Sequence, residues 1–444
     1  MTSAATAVAP AMQFRSTRSA DAQPISFSQA LERGLAPDGG LYIPTQWPRL
    51  EPTDFAGCDD LASIGERLLT PFLRGDPLAA ELTAVCREAF DFAAPLVPLD
   101  SSGAVSVLEL FHGPTAAFKD FGARFLAASL SRIRQGAARP LNILVATSGD
   151  TGGAVAAAFH RRPAALVSVL YPRGLVSPTQ ERQLTCWGEN VRSFRVAGTF
   201  DDCQHMVKQA FLDSALRTRF DLSSANSINV GRLLPQMVYY AAASLAVWRR
   251  SGESASFVIP AGNLGNAVAC IWARQVGLPI DAVVLAHNAN RTVPDYLQTG
   301  DWQPRPSVAT LASAMDVGNP SNMERLQVLF PAVAELRKAV SADSVDDAAI
   351  RARIEADYRG WGQIWCPHTA TAAEVYARRK SHGKTSGPWV IVATAHPAKF
   401  REIVEPILGL EVAVPESLAA LFARETQVED LPGEVAALRH ALSH

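Results

Sequence analysis

The stretch LNILVATSGDTGGAVAAAFHRR, residues 141–162, decides the fold. It begins with an apolar run of strand-forming residues, passes through a glycine-containing loop and continues as an alanine-rich helical pattern. A strand, a glycine loop and a helix in this order make a βα unit, and repeated βα units build a parallel sheet. The predicted fold class is therefore α/β.

Similar apolar runs recur along the chain. Most are continuously apolar rather than alternating, which is typical of parallel strands that are covered on both faces. The predicted strands are Leu141–Ala146, Leu166–Tyr171, Phe257–Pro260, Ala282–Ala286 and Trp389–Thr394.

The pattern differs outside these runs. Upstream of residue 98 it changes to helix-like stretches at 61–69 and 78–92 between loops rich in proline and glycine, so we predict a tail and small cap domain over 1–98. The charged segment 341–357 and the amphipathic segment 431–444 both have helical spacing, and we predict a helix for each.

Composition narrows the function classes. A chain of 444 residues with 48% hydrophobic and 19% charged residues is typical of a globular protein. With 41 Lys and Arg against 43 Asp and Glu, it has no broad positive field for nucleic acid or an anionic membrane. The six cysteines contain no CxxC pair, so we predict neither a metal site nor a disulfide framework, and we read the thiols as reduced in a cytoplasmic protein.

No apolar run is long enough for a membrane helix, and the first 20 residues lack the apolar stretch of a secretory signal. This start contains Arg15, Arg18 and several Ser and Ala without an acidic residue. An N-terminal tail is our interpretation, and an organelle transit peptide is the alternative.

Lys119 is the first candidate for chemistry. In HGPTAAFKDFGARFLAASL, residues 112–130, the apolar residues fall at helical spacing after Gly113 and Pro114, which places Lys119 in the first turn of a helix. The positive end of the helix dipole lowers the pKa of an amine there, as a Schiff-base lysine requires. The alternative is a solvated surface lysine.

Two glycine loops are candidates for anion binding. SGDTGG at 148–153 and AGNLGN at 261–266 each connect a predicted strand to a helix, and such loops present backbone N–H groups to a carboxylate or phosphate. Gly262 and Gly265 let the backbone approach a bound group closely. Loops of this kind are also common plain connections, and neither matches a Walker A or dinucleotide-binding sequence.

Two further segments place polar residues near predicted ligand positions. Thr394 ends a predicted strand at the sheet edge where ligands bind in open α/β sheets, although it also suits a strand-end cap. Asn226, Ser227 and Arg232 combine amide, hydroxyl and guanidinium donors, which is a phosphate-recognition set. An N-cap with a surface arginine is the alternative for these three.

Together these segments resemble the threonine synthase family, which belongs to the tryptophan-synthase-β-like enzymes that use pyridoxal phosphate (PLP), fold type II. The resemblance runs from about Phe14 to the C-terminus. The matching segments are GLAPDGGLYIP (34–44), HGPTAAFKDFGARF (112–125), ATSGDTGGA (146–154), NSIN (226–229), GNLGN (262–266), GNPSNMERL (318–326), PHTA (367–370) and TAHPAKF (394–400).

The resemblance implies two α/β lobes in residues 99–444, the smaller at about 120–235, with the cofactor between them. It implies that Lys119 holds PLP and that Thr394 faces the pyridine nitrogen. The implied receptor for the cofactor phosphate is the loop Gly262, Asn263, Leu264, Gly265 and Asn266. The implied receptor for the substrate carboxylate is Thr147, Ser148, Asp150 and Thr151, and that for the substrate phosphate is Asn226, Ser227 and Arg232.

The activity implied is that of a lyase in threonine biosynthesis, which converts O-phospho-L-homoserine and water to L-threonine and phosphate in a monomer or homodimer. One alternative is a related phospho-lyase that releases 2-oxobutyrate. Another is a catalytically silent PLP-binding homologue, against which Lys119 and the intact anion loops argue.

Overall fold

Two sheets of mainly parallel strands form the centre of the chain in a computed structural model that describes residues 10–19, 21–101 and 103–443. The predicted α/β class is confirmed. The strands are β1 Phe14–Ser16, β2 Tyr42–Pro44, β3 Leu96–Pro98, β4 Val105–Glu109, β5 Leu141–Ala146, β6 Ala165–Pro172, β7 Val191–Ala197, β8 Asp221–Ser224, β9 Ala255–Pro260, β10 Ile280–His287, β11 Ser341–Ser344, β12 Trp389–Ala393 and β13 Glu429–Pro432.

Helices connect and cover the sheets. They are α1 Phe27–Arg33, α2 Leu61–Leu69, α3 Leu82–Ala89, α4 Lys119–Ile133, α5 Asp150–Phe159, α6 Pro178–Thr185, α7 Phe200–Leu212, α8 Ser214–Arg219, α9 Val230–Leu233, α10 Met237–Ser251, α11 Gly265–Gln275, α12 Thr292–Thr299, α13 Met323–Leu329, α14 Val333–Ala339, α15 Asp347–Trp361, α16 Pro367–Ser381, α17 Arg401–Leu408, α18 Glu416–Phe422 and α19 Val435–Ser443. No helix in these described ranges is long and apolar enough to cross a membrane.

The larger sheet has the strand order β11-β10-β9-β12-β4-β3 and the smaller the order β13-β7-β6-β5-β8. All neighbours are parallel except β3, which pairs antiparallel with β4. The N-terminal part adds an antiparallel pair, β1 with β2. Residues 96–98 therefore belong to the larger sheet, and the division of the chain at residue 98 stays a prediction.

The central strands are covered on both faces, as their apolar runs predict. Every residue of β9 and β12 is buried. Fully burying one Val, Ile or Phe side chain contributes about 1.5–3 kcal/mol, so Phe257, Ile259 and Ile391 stabilise the centre of the larger sheet.

Two predicted helices are wrong in part. Within 341–357, residues 341–344 form β11, because they satisfy the open backbone edge of β10, and α15 begins only after Asp346, whose carboxylate accepts from the N–H of Ala349. Within 78–92, a 3₁₀ turn occupies Pro77–Glu81 and α3 covers only Leu82–Ala89. The predicted helix at 61–69 is confirmed as α2, and the one predicted at 431–444 is confirmed as α19 from Val435 to Ser443, while residues 431–432 belong to β13. Of the tail predicted in the first 20 residues, positions 1–9 and 20 lie outside the described residues, and Phe14–Ser16 form β1 instead.

Candidate functional site

A cavity lies where the carboxyl ends of β5, β8, β9 and β12 approach the start of α4. Ligands bind at this edge of open α/β sheets, because the loops that follow the strands converge there. The cavity brings together every site residue predicted from the sequence. These residues are Lys119, Thr147, Ser148, Asp150, Thr151, Asn226, Ser227, Arg232, Gly262, Asn263, Leu264, Gly265, Asn266 and Thr394.

Lys119 is the first residue of α4, as its sequence context predicts. The backbone N–H of Phe118 donates to the carbonyl of Thr394 at 2.9 Å, which ties the start of α4 to the end of β12. Ala116, two residues before Phe118, has a φ of 53°, a left-handed conformation that is uncommon for a residue with a side chain. Such strain persists only where the surrounding structure enforces it, and here it turns the chain into the helix.

The amine of Lys119 is poorly solvated. The side chain touches the open space of the cavity, but protein atoms surround that space, and this burial lowers the pKa of Lys119 to about 8. The charge of Arg232 lowers it further, whereas Asp150 opposes the shift. Burial, rather than the helix dipole invoked from the sequence, is thus the main cause that the structure identifies.

The loop after β5 presents hydrogen-bond donors to the cavity. The hydroxyl oxygen of Thr147 accepts from the N–H groups of Gly149 at 3.0 Å and Gly152 at 2.9 Å, which bends the loop over the N-terminus of α5. Gly149 has a φ of +127°, and a Cβ there would lie 2.4 Å from the side chain of Gln180. The positive end of α5 and the hydroxyls of Ser148 and Thr151 therefore face the cavity as anion donors.

Asp150 differs from the other residues of this loop. Its carboxylate is 4% exposed and lies 3.0 Å from the ammonium of Lys399, which is 0% exposed, and 3.0 Å from the amide nitrogen of Gln180. Burial raises the pKa of Asp150, but the charge of Lys399 and, at the acidic pH where Asp150 titrates, the charge of His368 more than offset it, so the net pKa is lowered. An ionised carboxylate repels a substrate carboxylate, so Asp150 is suited to orient the loop rather than to bind that group.

Lys399 is a residue that sequence reasoning missed. It belongs to TAHPAKF, which was recognised only as a matching segment, and its ammonium also donates to the carbonyl of Thr115 at 2.7 Å. The sequence signal for a buried, paired lysine was its position between the apolar residues Ala398 and Phe400, both of which are buried. A lysine in such a run is rarely buried without a partner.

The glycine-asparagine loop after β9 approaches its surroundings closely. A Cβ on Gly262 would lie 2.8 Å from the Cα of Met315, so only glycine fits there. Leu264 has a left-handed φ of 62°, and α11 begins directly after it at Gly265. The loop thus aims the N-terminus of α11 at the cavity, as expected for an anion cradle.

Ser227 sits among amide donors. Its hydroxyl oxygen accepts from the side-chain amides of Asn263 at 2.8 Å and Asn322 at 3.1 Å, which leaves its own proton free to donate. Arg325, 1% exposed, donates to the carbonyls of Ser227 at 3.1 Å and Tyr42 at 3.1 Å. Sequence reasoning missed Asn322 and Arg325, although both lie in GNPSNMERL.

Arg232 is a buried cation on the cavity wall. Two of its guanidinium nitrogens donate to the carbonyls of Ala225 and Lys119, and its Nε has no partner within the described ranges. Burial lowers its pKa to about 10, so it is still charged at neutral pH. A buried donor without a partner is costly unless a ligand supplies the acceptor.

Thr394 lies one residue past the end of β12 and is 5% exposed. His368 lines the same cavity, and burial lowers its pKa to about 4, so its imidazole is neutral at physiological pH.

The residues present fit a cofactor with an aldehyde and a phosphate. Lys119 supplies an amine that is substantially neutral near pH 8. Like the Nε of Arg232, the side-chain Nδ2 of Asn266 is buried and has no partner in the described part of the chain, which suits a phosphate oxygen. No group of His, Cys, Asp and Glu within the described ranges could hold a metal ion.

Comparisons with known proteins agree with this geometry. Three family descriptions match the chain: "Threonine synthase N terminus" at residues 13–90, "Pyridoxal-phosphate dependent enzyme" at 92–395 and "Threonine synthase, C-terminal" at 369–442. Threonine synthase of Haemophilus influenzae is 40% identical over 398 residues, which is 89% of this chain and 91% of that protein.

Solved structures show the same likeness. The crystal structure of threonine synthase from Escherichia coli superimposes with a TM-score of 0.89 and 36% identity, over 97% of this chain and 99% of that one. The PLP-bound threonine synthase from Brucella melitensis gives a TM-score of 0.88 and 34% identity, over 98% of this chain and 99% of that one.

Proposed function

The chain belongs to the threonine synthase family, and from this membership we propose that it converts O-phospho-L-homoserine and water to L-threonine and phosphate. The cofactor of the family is PLP. One observation carries the proposal. A single cavity holds an amine of lowered pKa together with several sets of anion donors, as a phosphorylated amino acid and a phosphorylated cofactor require.

We assign the cavity residues to three groups. Lys119 holds the cofactor, residues 262–266 bind the cofactor phosphate and Thr394 faces the pyridine nitrogen. Thr147, Ser148 and Thr151 bind the substrate carboxylate, while Asp150, paired with Lys399, shapes that loop. The substrate-phosphate set is Asn226, Ser227 and Arg232.

PLP, when bound, draws electrons from the substrate's α carbon and thereby acidifies the protons of the α and β carbons. Lys119 takes the proton from the α carbon, because its amine is partly neutral at physiological pH, and it takes the proton from the β carbon only after it has released the first one. Arg232 and the hydroxyl of Ser227 hold the phosphate group as it leaves the γ carbon. Water then adds its hydroxyl group at the β carbon, its other proton leaves with the phosphate, and Lys119 returns one proton to the γ carbon and one to the α carbon.

The cavity wall protects this chemistry from premature hydrolysis. Phe118, Phe200 and Met315 line it beside the polar groups and limit the entry of bulk water. Escape of an unsaturated product before water adds at the β carbon leads to 2-oxobutyrate instead of threonine. We further propose a cytoplasmic enzyme that acts on this small molecule as a monomer or homodimer.

The test is to incubate the purified protein with PLP and O-phospho-L-homoserine and to quantify phosphate, threonine and 2-oxobutyrate together. Phosphate matched by threonine is the expected result. Phosphate matched by 2-oxobutyrate identifies a lyase instead, and the absence of phosphate release contradicts the proposal. A Lys119→Ala variant controls for release that does not depend on the site.

A further inference from the structure

Two tyrosine hydroxyls converge on one side-chain oxygen beside the cavity. Tyr239 and Tyr240, at the start of α10, lie 2.6 Å and 2.7 Å from the Oδ1 of Asn266. Both tyrosines are 0% exposed, and burial raises their pKa values well above the usual range. Both hydroxyls therefore keep their protons and can donate at physiological pH.

This contact sets the orientation of the Asn266 amide. If the amide were reversed, Tyr239 could donate to the Oε1 of Gln236 at 3.2 Å. The hydroxyl of Tyr240, however, has no other hydrogen-bond partner within the described part of the chain, and its buried proton would lose its acceptor. The arrangement with Oδ1 toward the tyrosines is therefore the stable one.

The nitrogen of the same Asn266 amide, Nδ2, is then directed away from the tyrosines as a hydrogen-bond donor. Asn266 is 5% exposed and lines the cavity at the N-terminus of α11, and its Nδ2 has no hydrogen-bond partner among the residues that the structure describes. Buried side-chain donors are nearly always satisfied, so the missing acceptor belongs to a ligand. At a helix N-terminus that acceptor is an anion.

We propose that Tyr239 and Tyr240 are positioning residues that hold the Asn266 amide so that its NH₂ donates to the phosphate group of bound PLP. Neither tyrosine belongs to the cavity lining, so both act through Asn266. The inference rests on the proposed assignment of residues 262–266 to the cofactor phosphate.

The test compares two ligands on the apoenzyme. PLP and pyridoxal, which lacks the phosphate, are titrated by absorbance into the wild type and into the Tyr239→Phe, Tyr240→Phe and doubly substituted proteins. Phenylalanine keeps the ring and removes only the hydroxyl. Tyr376→Phe is the matched control, since Tyr376 is a buried tyrosine in the separate core around β12.

The double variant is expected to raise the Kd for PLP about tenfold while changing the Kd for pyridoxal less than about twofold, because orientation of one charge-assisted hydrogen bond is lost. Equal weakening of both ligands, or an unchanged Kd for PLP, would overturn the proposal. The ³¹P resonance of saturating bound cofactor should also move in the double variant, and an unchanged resonance would overturn it as well.

These outcomes are separate from the test of the proposed function. A wild type that discriminates between the two ligands but forms no threonine would refute the reaction and leave the tyrosine assignment intact. A wild type that forms threonine while the double variant loses no preference for PLP would refute only the tyrosine assignment.

Discussion

Replacing Lys399 with methionine removes one charge of a buried ion pair and keeps most of the side-chain volume. The ammonium lies 3.0 Å from the carboxylate of Asp150, and both residues are buried. Breaking a buried pair by removing one partner costs about 3–5 kcal/mol, because the other charge is left uncompensated. We expect the free energy of unfolding of Lys399→Met to fall by about that amount at pH 8.

The magnitude follows from the geometry. At an effective dielectric constant of about 20, two unit charges 3.0 Å apart attract by roughly 5 kcal/mol. The amide of Gln180 still donates to Asp150 at 3.0 Å after the substitution, so some stabilisation of the carboxylate remains. The expected loss therefore lies below the full Coulomb energy.

The loss should depend on pH. In the wild type the pKa of Asp150 is lowered, so its contribution to stability is present above its unfolded pKa of about 3.9 and is lost as the pH falls through the folded value. Without Lys399, burial dominates and the pKa rises above the unfolded value. The folded variant then takes up a proton as the pH falls, and its deficit in stability shrinks.

Urea unfolding at pH 5 and pH 8 measures this for the wild type, Lys399→Met, Asp150→Asn and the double variant. The double variant carries no buried charge at the pair and should be more stable than Lys399→Met at pH 8. A deficit that is the same at both pH values, or a double variant no more stable than Lys399→Met, would refute the reasoning.

Three further predictions concern the cavity. The rate at which the apoenzyme binds PLP should rise with pH around a midpoint near 8, because only the neutral amine of Lys119 reacts, and a midpoint near 10.5 in a stopped-flow pH series contradicts this. Arg232→Ala should raise the KM for O-phospho-L-homoserine about tenfold or more with little change in the Kd for PLP, and equal loss of both argues against its role. Thr394→Asp should alter the visible spectrum of bound PLP and lower kcat, whereas wild-type values would make Thr394 merely structural.

Local patterns were sufficient to predict much of the fold. Strand β5 coincides with the predicted run Leu141–Ala146, because apolar strand residues and the following glycine loop are adjacent in sequence. Strand β11 was missed because a four-residue edge strand depends on pairing with β10 and has no periodicity of its own. The fold is therefore predictable where the determining contacts are local.

The same distinction between local and long-range contacts applies to the residues of the site. Lys119 and the two glycine loops stand at strand–helix junctions that the sequence displays, and all of them line the cavity. Lys399 and Tyr240 act through partners in distant parts of the chain, Asp150 and Asn266, and no local spacing records such a pairing. Supporting contacts of this kind exist only in the folded chain.

Arg325 connects the N-terminal segment to the residues that border the cavity. One buried guanidinium joins the carbonyl of Tyr42 in β2 to the carbonyls of Ser227 and Ile228 beside the cavity. If the catalytic region were expressed without β2, the guanidinium donors that bind the carbonyl of Tyr42 would lose their acceptor next to Ser227. The N-terminal segment is thus not an exchangeable module: grafting it from another protein succeeds only if the carbonyl at position 42 returns to the same place.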